Sequence, residues 1–122
     1  MKINQQINRI GKYLYHNTDG AVSYRTEPNK SIVTFLMYFQ DDPNTVAQSD
    51  FNLNEIKIEI DVTTYNNKVR VDMIELDPNQ RTLGYYLYSP ESTQDMKYIR
   101  NDILNKLNKR IRKFYGQFLY LY

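Results

Sequence analysis

Seven cations crowd the last quarter of the 122-residue sequence: Lys97, Arg100, Lys106, Lys109, Arg110, Arg112 and Lys113. Lys106, Lys109 and Lys113 recur at spacings of three and four, which brings side chains to one side of an α-helix. With Arg112 beside them they could contact nucleic-acid phosphates or an acidic protein surface. Drawn at 100° per residue, the set is not a single stripe. Lys109, Arg112 and Lys113 fall opposite the apolar side, whereas Arg100 and Arg110 fall within it. A solvated helix face whose late cations complement the helix dipole explains the same residues.

A second group is acidic. If Asn66-Asn67 is a two-residue hairpin turn, paired positions sum to 133, so Asp61 opposes Asp72 and Thr63 opposes Arg70, with Glu59 on the same face. Opposed carboxylates are unfavourable unless a cation joins them. The patch Glu59, Asp61, Asp72 would therefore take a divalent ion, a basic peptide or a basic residue from elsewhere in the chain. A hydrated sheet face with Arg70 and Lys57 as diagonal partners is the plainer account. Tyr86 and Tyr88 form a third group, sharing one face of a strand opposite Leu83, Tyr85 and Leu87. An exposed tyrosine ladder would stack bases or anchor a protein; cover on both faces of the sheet would bury it.

Most other chemistries lack their residues. The sequence has no Cys and one His, His16, which closes thiolate catalysis, zinc fingers and two-imidazole sites. It has no GxSxG elbow and no phosphate-cradling glycine motif, and Asp41-Asp42 lacks the order of a calcium loop. No catalytic residue, metal ligand or cofactor is assigned. Met1–Tyr15 has no continuous apolar core and nowhere do 18 apolar residues run together, so neither a signal peptide nor membrane insertion is expected, and the expected location is cytoplasmic or otherwise intracellular.

The elements that must position these groups follow from periodicity. Ile3, Ile7, Ile10 and Leu14 mark an amphipathic helix over 2–15, ended by Asn17–Gly20. Ala21–Thr26 reads as a strand, and Ser31–Gln40, apolar on both parities, as a strand covered on both faces. Asp41–Asp50 is an acidic loop. Ile56, Ile58, Ile60 and Val62 alternate with Glu55, Lys57, Glu59 and Asp61 in a half-buried strand over Asn54–Thr63. Asn66-Asn67 then turns the chain into Lys68–Leu76, and the Asp77–Gln80 turn leads to Thr82–Tyr88. Ser89-Pro90-Glu91 opens a long helix, with Ser89 as N-cap and Pro90 in the first turn. Met96, Ile99, Ile103, Leu107, Ile111 and Phe114 form its stripe. Gln117–Tyr122 would be a short apolar strand offering a pairing edge.

The expected architecture is one α+β domain over residues 1–122: an antiparallel β-meander of about five strands with an N-terminal helix and a long C-terminal helix packed on the sheet. The formal net charge of +2 conceals segregation: residues 1–40 carry +3, residues 41–95 carry −7 and residues 97–122 carry +6. Thirteen Asn, 12 Tyr and two Ala reflect either AT-rich codon usage or a recognition surface rich in tyrosine. The leading expectation is a non-enzymatic protein-interaction or assembly module that self-associates or binds a protein partner. The alternatives are nucleic-acid binding through the basic helix, and a small-ligand or enzymatic pocket between helix and sheet, lined by Tyr and Met with His16 or an acidic residue at its mouth.

Overall fold

A strand whose every second residue is Ile or Val can be buried on one side only, and the fold is built around that constraint. The computed structural model describes residues 3–40 and 53–115. Helix α1 (Ile3–His16) is followed by β1 (Ala21–Glu27), β2 (Lys30–Gln40), β3 (Leu53–Tyr65), β4 (Lys68–Asp77) and β5 (Arg81–Tyr88). A 3₁₀ turn (Glu91–Gln94) precedes α2 (Met96–Tyr115). The strands form one antiparallel sheet in the order β1-β2-β3-β4-β5, the meander that successive hairpin turns dictate. The expected acidic loop Asp41–Asp50 and apolar strand Gln117–Tyr122 lie outside the described residues.

Asn66 and Asn67 both adopt positive φ, 49° and 61°, as a two-residue hairpin turn with the twist of its strands requires. The turn sets the register: Asp61 opposes Asp72 and Thr63 opposes Arg70. Ile56, Ile58, Ile60 and Val62 of β3, with Val69, Val71 and Met73 of β4, are then buried on one face with Val33, Phe35 and Met37 of β2. Both helices lie on this face. α1 contributes Ile7, Ile10 and Leu14, and α2 contributes Ile99, Ile103, Leu104, Leu107 and Ile111. Polar bonds fix the helices in place. Ser31 Oγ donates to the Ile7 carbonyl at 2.9 Å, Gln6 Nε2 to the Pro90 carbonyl at 3.0 Å, and Arg100 Nε to Thr18 Oγ1 at 3.3 Å.

Two local features depart from the periodic reading. The long helix does not begin at Ser89. Pro90 caps a 3₁₀ turn, and Asp95, extended at φ −88° and ψ 94°, accepts the Tyr98 amide at 3.1 Å to start α2. An aspartate in the capping geometry satisfies the first-turn amides better than continuation through Pro90 could. On β5 the pairing slips between Met73 and Ile74, and Gly84 takes a φ of 149°. This bulge turns Leu83 inward with the core, so it does not share the outer face with Tyr85 and Leu87. The continuous apolar strand β2 is covered by helix on its inner face alone, among the described residues, although Ile32 on the outer side is still buried.

Candidate functional site

The sheet face turned away from both helices is crossed by rows of paired residues. One row runs Arg25, Ile32, Asp61, Asp72, Tyr85 across all five strands, and the next runs Glu27, Lys30, Thr63, Arg70, Leu87. The acidic patch expected from the sequence is therefore one continuous feature, and each member meets a cation. Lys30 Nζ lies 3.6 Å from Asp61 Oδ2, and Arg25 Nη2 lies 3.6 Å from Glu59 Oε1. The Arg70 guanidinium grips both oxygens of Asp72 at 3.1–3.2 Å. Among the described residues, no group of three or more His, Asp or Glu side chains is disposed to hold a metal ion.

The neutralisation is uneven. Asp61 is buried, and its Oδ1 has no hydrogen-bond donor. Burial is the largest cause that pushes its pKa from 3.8 to about 6; the neighbouring Glu59 carboxylate adds to this, Lys30 opposes it and Asp72 adds a little more. Arg70 also serves the rings around it. Its guanidinium carbon lies 4.1 Å from the centre of Tyr85 and 5.6 Å from that of Tyr65. Tyr85, Tyr65 and Leu87 are 52%, 49% and 39% exposed, so the β4–β5 half of this face presents an aromatic and aliphatic cluster braced by one arginine. The partner-binding ladder expected at Tyr86 and Tyr88 lies on the other face, and it is Tyr85 and Leu87 that are exposed. The register to Asp72 and Arg70 was the available signal that they stand outside.

Tyr86 and Tyr88 point the other way, toward α2. Tyr88 is buried and donates to Asp102 Oδ2 at 2.7 Å, while the Tyr86 hydroxyl accepts from Arg110 Nε at 3.3 Å. Burial raises the Tyr88 pKa, and the bond to Asp102 raises it further. Lys106 completes the group, bonding Asp102 at 2.7 Å and the Tyr88 hydroxyl at 3.3 Å, with its ammonium 4.3 Å from the centre of the Tyr86 ring. Burial alone would raise the Asp102 pKa, but the bonds from Lys106 and Tyr88 outweigh it and hold the carboxyl below its ordinary value. Arg110, expected on the apolar side of α2, lies 3.4 Å from where a Cβ on Gly84 would be. Long stems carry Arg100 and Arg110 to the edge of the core, where their guanidinium groups find hydroxyl oxygens.

Lys109, Arg112 and Lys113 are exposed on α2. α1 adds Arg9 and Lys12, so residues 3–20 and 89–115 together hold nine Lys/Arg against four Asp/Glu. Between the helices lies an open groove of about 270 Å³, lined by Arg9, Lys12, Tyr13, His16, Asn17 and Met96. It combines the Tyr, Met and His16 expected of a ligand pocket, but it is set between two helices and not beneath α2. The space between α2 and the sheet is filled by Ile99, Ile103, Leu107 and Ile111. None of the described helices is long and apolar enough to cross a membrane.

Comparison with known proteins finds no matching family model, curated protein or solved structure.

Proposed function

We propose that the chain is a non-enzymatic interaction module that self-associates by stacking the helix-free face of its sheet on the same face of a second copy. The observation that carries this reading is the exposed cluster of Tyr65, Tyr85 and Leu87 around Arg70 on a face that no described helix covers. Tyrosine and arginine are the residues that concentrate binding energy at interfaces. Among the described residues the outer face holds five cations (Arg25, Lys30, Lys57, Lys68, Arg70) and six carboxylates (Glu27, Glu55, Glu59, Asp61, Asp72, Asp77), a near balance under which two copies approach with little net repulsion. The five strands run from 7 to 13 residues; spaced about 4.8 Å apart, they span roughly 800 Å². That is comparable to the roughly 800 Å² per partner of a standard interface. Amide spectra recorded at increasing protein concentration test the proposal. Movement confined to outward residues of β3, β4 and β5 supports it, and movement confined to the helices, or none, overturns it.

Nucleic-acid binding through the helix layer is the second reading, favoured by the concentration of nine cations in α1, α2 and their flanks. Lys109, Arg112 and Lys113 would contact phosphates, with Arg9 and Lys12 extending the surface. Such binding weakens steeply with salt. Absence of retention of single-stranded and duplex oligonucleotides at low salt removes this reading.

A further inference from the structure

Strand β5 ends the sheet, and among the described residues no strand pairs with its outer side. In an antiparallel ladder alternate residues turn their N–H and C=O away from the neighbouring strand, so β5 carries a row of backbone donors and acceptors that no described strand pairs. α2 borders this edge. Lys106 and Arg110 reach β5 through Tyr86 and Tyr88, which fixes the side of the helix that faces the strand. Lys109 and Lys113 stand three residues beyond Lys106 and Arg110, flanking the same side, and both are exposed. The single carboxylate of α2, Asp102, is already bonded to Lys106 and Tyr88.

On the α2 side the edge is thus bordered by an excess of positive charge. A second copy pairing through its own β5 would set two rows of lysines against each other, so this charge disfavours edge-to-edge pairing between identical chains. The same charge attracts an acidic strand. We propose that the β5 edge binds an extended peptide with acidic side chains at alternate positions, by strand addition. The peptide backbone continues the ladder beyond β5, and every second side chain reaches toward Lys109 and Lys113. This surface is distinct from the sheet face built on Tyr85 and Arg70, and either can fail without the other.

The probes are a labelled octapeptide alternating Glu and Val, its Lys-Val counterpart, and the Glu-Val peptide N-methylated at alternate amides. They are titrated into the full chain at low salt and followed by anisotropy and by amide hydrogen exchange. Binding of the Glu-Val peptide alone is expected, with exchange of the outward amides of Tyr85–Tyr88 slowed about tenfold. N-methylation, which keeps the charge and removes the ladder, abolishes binding. The double reversal Lys109→Glu with Lys113→Glu weakens the Glu-Val peptide about tenfold, the scale of a 1.4 kcal/mol change, and admits the Lys-Val peptide. Three results overturn the proposal: no binding at about 1 mM, a range that would still reveal a weak complex; binding that survives N-methylation; or binding that leaves β5 exchange unchanged.

Discussion

Asp61 and Asp72 stand directly opposite each other on β3 and β4, two carboxylates at the centre of the outer sheet face. They are not equivalent. Asp72 is held by the fork of Arg70, whereas Asp61 has Lys30 at 3.6 Å and one buried oxygen without a donor. The electrostatic cost of the pairing therefore falls on Asp61.

That asymmetry sets a pH dependence. In the fold the Asp61 pKa is raised from 3.8 to about 6, so between these values the native state holds a proton that the unfolded chain has released. The native state binds more protons there, and the contribution of Asp61 to stability rises as pH falls from about 7 to about 4. Asp61→Asn removes the buried charge. Urea unfolding should show the variant about 1–3 kcal/mol more stable than the parent at neutral pH and nearly equal to it near pH 4, at about 1.4 kcal/mol for each unit of pKa. An equal difference at both pH values would contradict the assignment.

Gly11 lies where α1 crosses β2. A Cβ there would sit 2.7 Å from Ser31 Cβ and 3.0 Å from Tyr24 Cε2, and closer still to Ser31 Oγ. Ser31 is itself tied to the Ile7 carbonyl and cannot withdraw without losing that bond. Gly11→Ala gains about 1 kcal/mol of helix propensity, but overpacking costs about 1–3 kcal/mol, so the net is a loss of up to about 2 kcal/mol. Thermal unfolding should show a lower midpoint; a higher one would mean that the helix can shift outward.

Asp102 and Lys109 of α2 differ in how far their charges are built into the fold. Asp102→Ala leaves the buried Tyr88 hydroxyl and Lys106 without their shared acceptor and should cost about 1–3 kcal/mol. Lys109→Ala, fully on the surface, should change stability by less than about 0.5 kcal/mol. Denaturant titrations of the two variants check the division, and comparable losses would refute it.

Much of this architecture was legible because its signals are local. The alternation of Ile56, Ile58, Ile60 and Val62 and the Asn66-Asn67 turn were enough to place Asp61 against Asp72. The Asp102–Lys106 pair is an i, i+4 contact of the same kind. The face carried by β5 was harder, because the glycine bulge at Gly84 turns Leu83 inward and period-two counting fails across a bulge. Long-range contacts left no periodic trace at all. The fully buried Glu75 accepts from Arg81, the Asn79 amide and Tyr115, forty residues away, and Arg81 lies 3.8 Å from the centre of the Phe114 ring. Such partners are chosen by the packed fold. For the same reason the cations proposed to meet phosphates divide in the structure, Lys106 going to Tyr88 and Asp102 and Lys109 to solvent.

The central claim is that the helix-free sheet face is a self-docking surface, and sedimentation equilibrium of the parent chain beside the Tyr85→Ser, Leu87→Ser double variant tests it most directly. Both side chains are exposed, so the variant should keep its unfolding midpoint. The parent should form a reversible dimer at concentrations below about 1 mM, and the variant should remain monomeric at the same concentrations. A parent chain that stays monomeric to about 1 mM, or a variant that dimerises as tightly as the parent, would contradict the account.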